Sequence, residues 1–299
     1  MIKPNSIKEG DIVSVISPSG IVNIDEVKSG INILKDWGLR IKAGKHIYKS
    51  YNNFAGNDKQ RLEDLQNALD DENVKAIFCT RGGYGLSRIV GKLNFEKFIT
   101  KPKWLIGFSD ITVLHSYLNN KLGIQSIHGP VLRSFSSLTN TKSLFYLHNI
   151  LFNNTISYNI DIKTPSIRGE IDGILIGGNL SILHNLRKTP YDIIPDNKIL
   201  FIEDVNEYLY HLDRMLMSFE LSGVFSKLKG IIAGGFTDMK DQKTPFGKNA
   251  QEIIYSFAKE YNIPFAWGFP AGHQSPNFPL VLGAKIMLKI SNRKLKIYY

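Results

Sequence analysis

The chain has 299 residues, 43% apolar and 21% charged, which is the balance of a globular protein long enough for two domains and excludes a disordered or fibrous one. Its formal charge of +10 is spread along the sequence with no basic-aromatic motif, which argues against nucleic-acid binding and leaves an acidic small substrate or simple solubility. Cys79 is the only cysteine, the N-terminus lacks a signal-peptide core, and no apolar run approaches the roughly 20 residues of a membrane span, so the expectation is a cytoplasmic protein without disulfides, metal or cofactor.

In chain order, Asp11–Ile16 reads as a strand closed by Ser17-Pro18-Ser19-Gly20. That loop lacks the lysine and glycine spacing of a P-loop and is read as a strand-to-helix turn. Asn23 or Asp25 then starts a helix carrying Val27, Ile31, Ile33 and Leu34. Leu39–Ala43 is a second strand, and Asn57 and Asp58 precede a helix with Leu62, Leu65, Ala68 and Leu69 on one face. Val74–Cys79 is a third strand, ending in Thr80-Arg81-Gly82-Gly83-Tyr84-Gly85. Strands alternating with helices at this spacing predict a parallel sheet covered by helices on both faces, with its reactive loops beyond the carboxyl ends of the strands. Gly82, Gly83 and Gly85 permit close backbone approach to a ligand, or merely a turn. Arg81 suits a substrate carboxylate or a structural salt bridge equally.

Trp104-Leu105-Ile106-Gly107 leads into Phe108-Ser109-Asp110 and an amphipathic segment through Leu122, a strand, tight turn and helix. A hydroxyl at that turn lies beside backbone N–H groups with no intrahelical partner, which suits a nucleophile whose intermediate carries an oxyanion. Ser109 as a plain N-cap is the stronger reading on local grounds alone. Ile124–Pro130 is another strand, and its His128 is a base or, more in keeping with a strand end, a structural group. Leu138–Asn154 reads as helical and then polar, and Tyr158–Ser166 as an irregular or extended crossing. The expected division is a first domain over 1–140, a linker over 141–168 and a second domain over 169–299.

In the second half, Gly169–Ile176 is a strand, and Gly177-Gly178-Asn179-Leu180-Ser181 starts a short helix. Ile199–Ile202 is a very apolar strand ending in Glu203-Asp204, and a helix follows with Leu209, Leu212, Met215, Leu216 and Phe219 in the core. Asp204 and Glu207 have the spacing of a capping pair, which leaves Glu203 the less explained acid. Lys229–Ala233 and a helix over Ala250–Lys259 precede the Gly- and Pro-rich loop that holds His273. Leu280–Ile290 and Lys294–Tyr298 are expected to pair as a hairpin across Ser291-Asn292-Arg293.

Ser109, Glu203 and His273 thus occur in the order nucleophile, acid, base. The blocks Arg81–Gly85, Gly107–Asp110 with Thr112, His128–Pro130, Gly177–Leu180, Phe201–Asp204 with Asp213-Arg214, and Gly268–His273 span nearly the whole chain. Together they resemble the LD-carboxypeptidase family of serine peptidases, which includes the microcin-immunity peptidases. The resemblance implies an α/β fold, with a flavodoxin-like parallel-sheet N-terminal domain and a β-rich α/β C-terminal domain, in a homodimer. It implies Ser109 as nucleophile, His273 as general base and acid, Glu203 as orienting carboxylate, and an oxyanion hole from the N–H groups of Gly83 and Asp110. Position 111 is Ile, so the turn is not the Gly-x-Ser-x-Gly elbow of common α/β-hydrolases. Arg81, Gly82 and Asn179 are expected to bind substrate. The expected activity is release of a terminal D-alanine from a muropeptide tetrapeptide during peptidoglycan recycling. The alternatives are a microcin-immunity activity on a peptidyl-nucleotide, with Phe145, Tyr146, Phe152 and Tyr158 available to stack on a base, and a non-catalytic muropeptide-binding module.

Overall fold

The computed structural model describes residues 1–135, 141–153, 156–291 and 293–299. Five strands alternate with helices through its first part: β1 (Ile12–Ile16), β2 (Arg40–Ala43), β3 (Val74–Cys79), β4 (Trp104–Gly107) and β5 (Ser126–His128). They pair in parallel in the spatial order β2-β1-β3-β4-β5, the doubly wound order of flavodoxin-like sheets, as the resemblance implies. Both faces are covered, which is why β3 and β4 are near-continuous apolar runs rather than alternating ones. Val15, Phe78 and Ile106 face one core cluster, while Ile16, Ile77 and Leu105 face another on the opposite side.

The covering helices are α1 (Ile24–Asp36), α2 (Asp58–Asp70), the short α3 (Glu96–Thr100) and α4 (Thr112–Asn120). Asn23, not Asp25, caps α1: its side chain accepts from the Glu26 N–H while Glu26 accepts the Asn23 N–H. Asn57 and Gln60 repeat this capping box at α2, each such cap contributing about 1 kcal/mol. Helix α4 is not amphipathic in its setting; Thr112 through Ser116 are all buried, between the first sheet and the β8 and α6 segments of the second part.

Residues 141–168, expected as a linker, carry helix α5 (Thr141–Leu151) and strands β6 (Ser157–Asp161) and β7 (Lys163–Ile167). Both strands belong to an eight-stranded sheet in the order β6-β14-β13-β8-β9-β10-β11-β7, whose other members are β8 (Gly169–Asn179), β9 (Lys198–Val205), β10 (Gly230–Thr237), β11 (Phe265–Trp267), β13 (Lys285–Ile290) and β14 (Lys294–Tyr298). The polar composition of 157–167 suits strands at the two edges of a sheet, where one flank stays in water. Positions Leu138–Asn140 and Asn154 of the expected helical segment, and Asn292 of the hairpin turn, lie outside the described residues.

Leu280–Ile290 is not one strand. Gly283, at φ 85°, turns the chain, and Leu280–Leu282 becomes β12, antiparallel to β5 on the edge of the first sheet. Of the two, only β13 pairs with β14. Helices α6 (Leu180–Asn185), α7 (Leu209–Leu221) and α8 (Ala250–Glu260) cover one face of the second sheet. Its other face, through Leu175, Ile199, Phe201 and Ile232, joins the same core cluster as Ile106 and Ile127 of the first. Among the described residues no helix is long and apolar enough to cross a membrane, and no group of three or more His, Cys, Asp or Glu could hold a metal ion.

Candidate active site

Ser109 begins a 3₁₀ turn, Ser109–Ile111, between β4 and α4. Its φ of 65° lies in the left-handed region, a backbone state that non-glycine residues adopt only when their surroundings impose it. The end of β4 is held by His115, whose Nε2 donates to the Gly107 carbonyl (2.9 Å), and by the Gly129 N–H, which reaches the same oxygen (3.1 Å). Burial lowers the His115 pKa to about 3, so this histidine is a neutral strut. Asp110 ties the neighbouring loops to the turn: its Oδ2 accepts from Ser19 Oγ (2.6 Å), after β1, and from the Leu86 N–H (2.9 Å), after β3.

The local reading of Ser109 as a cap is not what forms. Residue Ile111 occupies the N-cap of α4 with no side-chain cap, and the Ser109 hydroxyl makes no hydrogen bond among the described residues. Gly82 lies directly against it, since a Cβ there would stand 2.6 Å from Ser109 Cβ and 2.9 Å from Oγ. Gly83 follows at φ 122°, close over Gly20. The Gly83 N–H donates to no acceptor among the described residues.

Glu203 is fully buried near the end of β9, and its Oε2 accepts from both His273 Nδ1 (2.8 Å) and the His273 backbone N–H (3.1 Å). Burial alone would raise the Glu203 pKa, but the hydrogen bonds from His273 and the nearby imidazole of His128 outweigh it and bring it down to about 2. Burial alone would lower the His273 pKa, and the bond to Glu203 outweighs that, leaving it above the ordinary histidine value. Gly272, at φ 101°, lets the loop pass over the acid: a Cβ there would fall 2.5 Å from Glu203 Oε2. Gly272→Ala is therefore expected to destabilise the fold by about 1–3 kcal/mol and to cut turnover more than tenfold, read by thermal melts alongside initial rates. Full activity in that variant would show that the loop can hold His273 without this close approach.

The other acid is engaged elsewhere. Asp204 and Glu207 do not form the expected capping pair: Asp204 accepts from Asn179 Nδ2 (3.0 Å) and the Ser181 N–H (2.8 Å), while Glu207 pairs with His211 Nδ1 (2.5 Å). Burial and the charge of Glu203 push the Asp204 pKa up to about 7. Asn179, expected to bind substrate, caps α6, donates to Asp204, is buried, and is not among the residues lining the cavity. His128 is also buried rather than exposed to the cavity, with Nε2 3.9 Å from Glu203 Oε1 and its ring packed against Phe108 and Phe201.

A cavity of 480 Å³ is lined by Ser109, His273, Gly82, Gly83 and Arg81, bringing these five expected residues together above Glu203. Phe108 of the nucleophile turn also lines it, as do Arg133, Gln274 and Asn277, none of which was singled out from the sequence. Arg133 lies just past the His128–Pro130 block at the same strand edge, the one signal that pointed to it. Of the aromatics considered for base stacking, Tyr146 and Tyr158 pack with Phe278 and Phe152 stacks on His148; neither these nor Phe145 lines the cavity. The arrangement offers an unengaged hydroxyl, a carboxylate-bound imidazole and a free backbone N–H around one space, the parts needed for acyl transfer.

Residues 13–129 match the family model of the LD-carboxypeptidase N-terminal domain, and residues 172–288 that of the C-terminal domain. The murein tetrapeptide carboxypeptidase of Pseudomonas aeruginosa is 31% identical over 89% of this chain and 89% of its own length. The crystal structure of a muramoyltetrapeptide carboxypeptidase from Oxalobacter formigenes superimposes with a TM-score of 0.86 at 26% identity, covering 96% of this chain and 97% of that one. The microcin C7 self-immunity protein of Escherichia coli is 25% identical over 96% of this chain and 93% of its own.

Proposed function

The chain belongs to the LD-carboxypeptidase family of serine peptidases, and we propose that it removes the terminal D-alanine of a muropeptide tetrapeptide by a Ser109–His273–Glu203 triad. The observation that carries this reading is the buried Glu203 bound to His273 Nδ1, with Ser109 and His273 on the wall of one cavity. With Nδ1 committed to the carboxylate, Nε2 is the ring nitrogen left to take the serine proton. Ser109 Oγ attacks the carbonyl joining the L-centre to D-alanine, and His273 then gives the proton to the leaving amine. Water repeats the sequence on the acyl enzyme. The oxyanion is received by the N–H groups of Gly83 and Asp110, each worth on the order of 3 kcal/mol of transition-state stabilisation. In this proposal residues 1–140 carry the nucleophile and residues 169–299 the acid and base.

Incubation with a murein tetrapeptide, followed by mass spectrometry, is expected to show loss of one alanine and nothing larger. Cleavage of an aminoacyl-sulfamoyl adenylate with the tetrapeptide left intact would assign the microcin-immunity activity instead. Turnover of neither, with retained muropeptide binding, would make this a binding module.

A further inference from the structure

The cavity wall carries two guanidinium groups, Arg81 and Arg133, and no Asp or Glu. Arg81 is seated: its stem lies on Gly20, where a Cβ would come within 2.9 Å of Nε, and its Nη1 donates to the Ile21 carbonyl (2.9 Å). That single bond leaves most of the five N–H donors of the group unspent. Glu26 is an acid that acts on Arg81, but its carboxylate is engaged at the Asn23 N–H in the α1 cap. Arg133 is exposed, and its side chain forms no hydrogen bond or ion pair among the described residues. Burial first, and then the charge of Arg133, pull the Arg81 pKa down against the opposing charge of Glu26.

Both side-chain amides on the wall are already used by the protein. Gln274 Nε2 donates to the carbonyls of Phe269 and Ala271, and Asn277 Oδ1 accepts the Gly272 N–H. Besides the Ser109 hydroxyl and the Gly83 N–H, which the proposed reaction uses, the two arginines carry open donors on this wall. Two cations left facing one cavity are unfavourable in the empty protein and become favourable when an anion enters.

We infer that Arg133, together with Arg81, binds the terminal carboxylate of the substrate and so makes the enzyme an exopeptidase. The inference rests on the proposed function, which fixes where that carboxylate must be. In a carboxypeptidase substrate it lies one residue beyond the scissile carbonyl, within about 3.8 Å of chain, so it must be received in the same cavity as Ser109. Arg81 comes two residues before Gly83, on the loop assigned to the oxyanion. Arg133 approaches from the segment after β5, whose backbone is pinned by the Arg133 N–H to the Thr80 carbonyl (3.1 Å), one residue before Arg81. The two guanidiniums thus belong to segments fastened to each other, and their planar forks suit bidentate capture of a carboxylate.

The test compares a murein tetrapeptide ending in a free D-alanine with its C-terminal amide. In Arg133→Ala the ratio of kcat/KM for acid over amide is expected to fall by on the order of tenfold to a hundredfold, the worth of one or two charge-assisted hydrogen bonds. Arg133→Lys should recover part of that ratio. An unchanged ratio in Arg133→Ala would overturn the inference. Calorimetry of both peptides with Ser109→Ala separates the two levels of the argument, because it needs no chemistry. If the wild type cleaves neither peptide but Ser109→Ala still binds acid over amide, and the double variant with Arg133→Ala does not, the proposed function falls and the carboxylate site stands. Cleavage without discrimination between acid and amide leaves the function standing and removes the site.

Discussion

Replacing Ser109 by alanine is expected to lower kcat by on the order of 10⁴- to 10⁶-fold, the loss seen when the nucleophile of a triad is removed and only binding and oxyanion stabilisation remain. The fold should not respond. The hydroxyl makes no hydrogen bond among the described residues, and alanine in the left-handed backbone at φ 65° is no more strained than serine. Melting temperatures are therefore expected to agree closely, with stability unchanged to within about 0.5 kcal/mol. The measurement pairs D-alanine release with a thermal melt of the same preparation. Turnover within tenfold of the wild type would remove Ser109 from the chemistry.

The second large effect is expected from Glu203→Gln, with kcat reduced on the order of 10³- to 10⁴-fold. The amide oxygen of Gln can still accept from the His273 N–H groups, so the geometry survives while the charge is lost. In the wild type, the bond to Glu203 outweighs burial and holds the His273 pKa above the usual histidine value of about 6.5. The base works when neutral, so kcat/KM should rise with pH along a limb centred above that value. Without the carboxylate the limb should move to lower pH. A variant that is slower but keeps the same limb would show Glu203 to be a packing group only. The same acid links stability to pH: its folded pKa of about 2 lies below the unfolded value of about 4.3, so its contribution is present above that value and is lost as pH falls toward 2.

Strand and helix order in the first 135 residues was legible because β3 and β4 are apolar runs bounded by glycine, and because Asn23 and Asn57 announce their helices. Pairing partners were not legible. Leu280–Leu282 has the same apolar character as the strand that follows it, and only the turn at Gly283 sends it to another sheet. Polar edge strands such as β6 and β7 lack the alternation that marks a half-buried strand, so they read as a crossing. At the site, residue type and loop position pointed to Ser109, Gly83 and His273. The partners of Asn179 and Asp204, Thr112 and Ser181 among them, were not legible because they are fixed by tertiary packing. Arg133 was overlooked because a lone arginine after a strand carries no pattern of its own.

Strand β12 gives the sheet that holds Ser109 its last member from a segment made some 150 residues later in the chain, directly beside the strand of His128. During synthesis, β5 remains an exposed sheet edge until Leu280–Leu282 emerges, and that segment comes only after His273. A nascent chain therefore cannot complete the sheet that holds Ser109 until His273, the base in the proposed mechanism, has already been made.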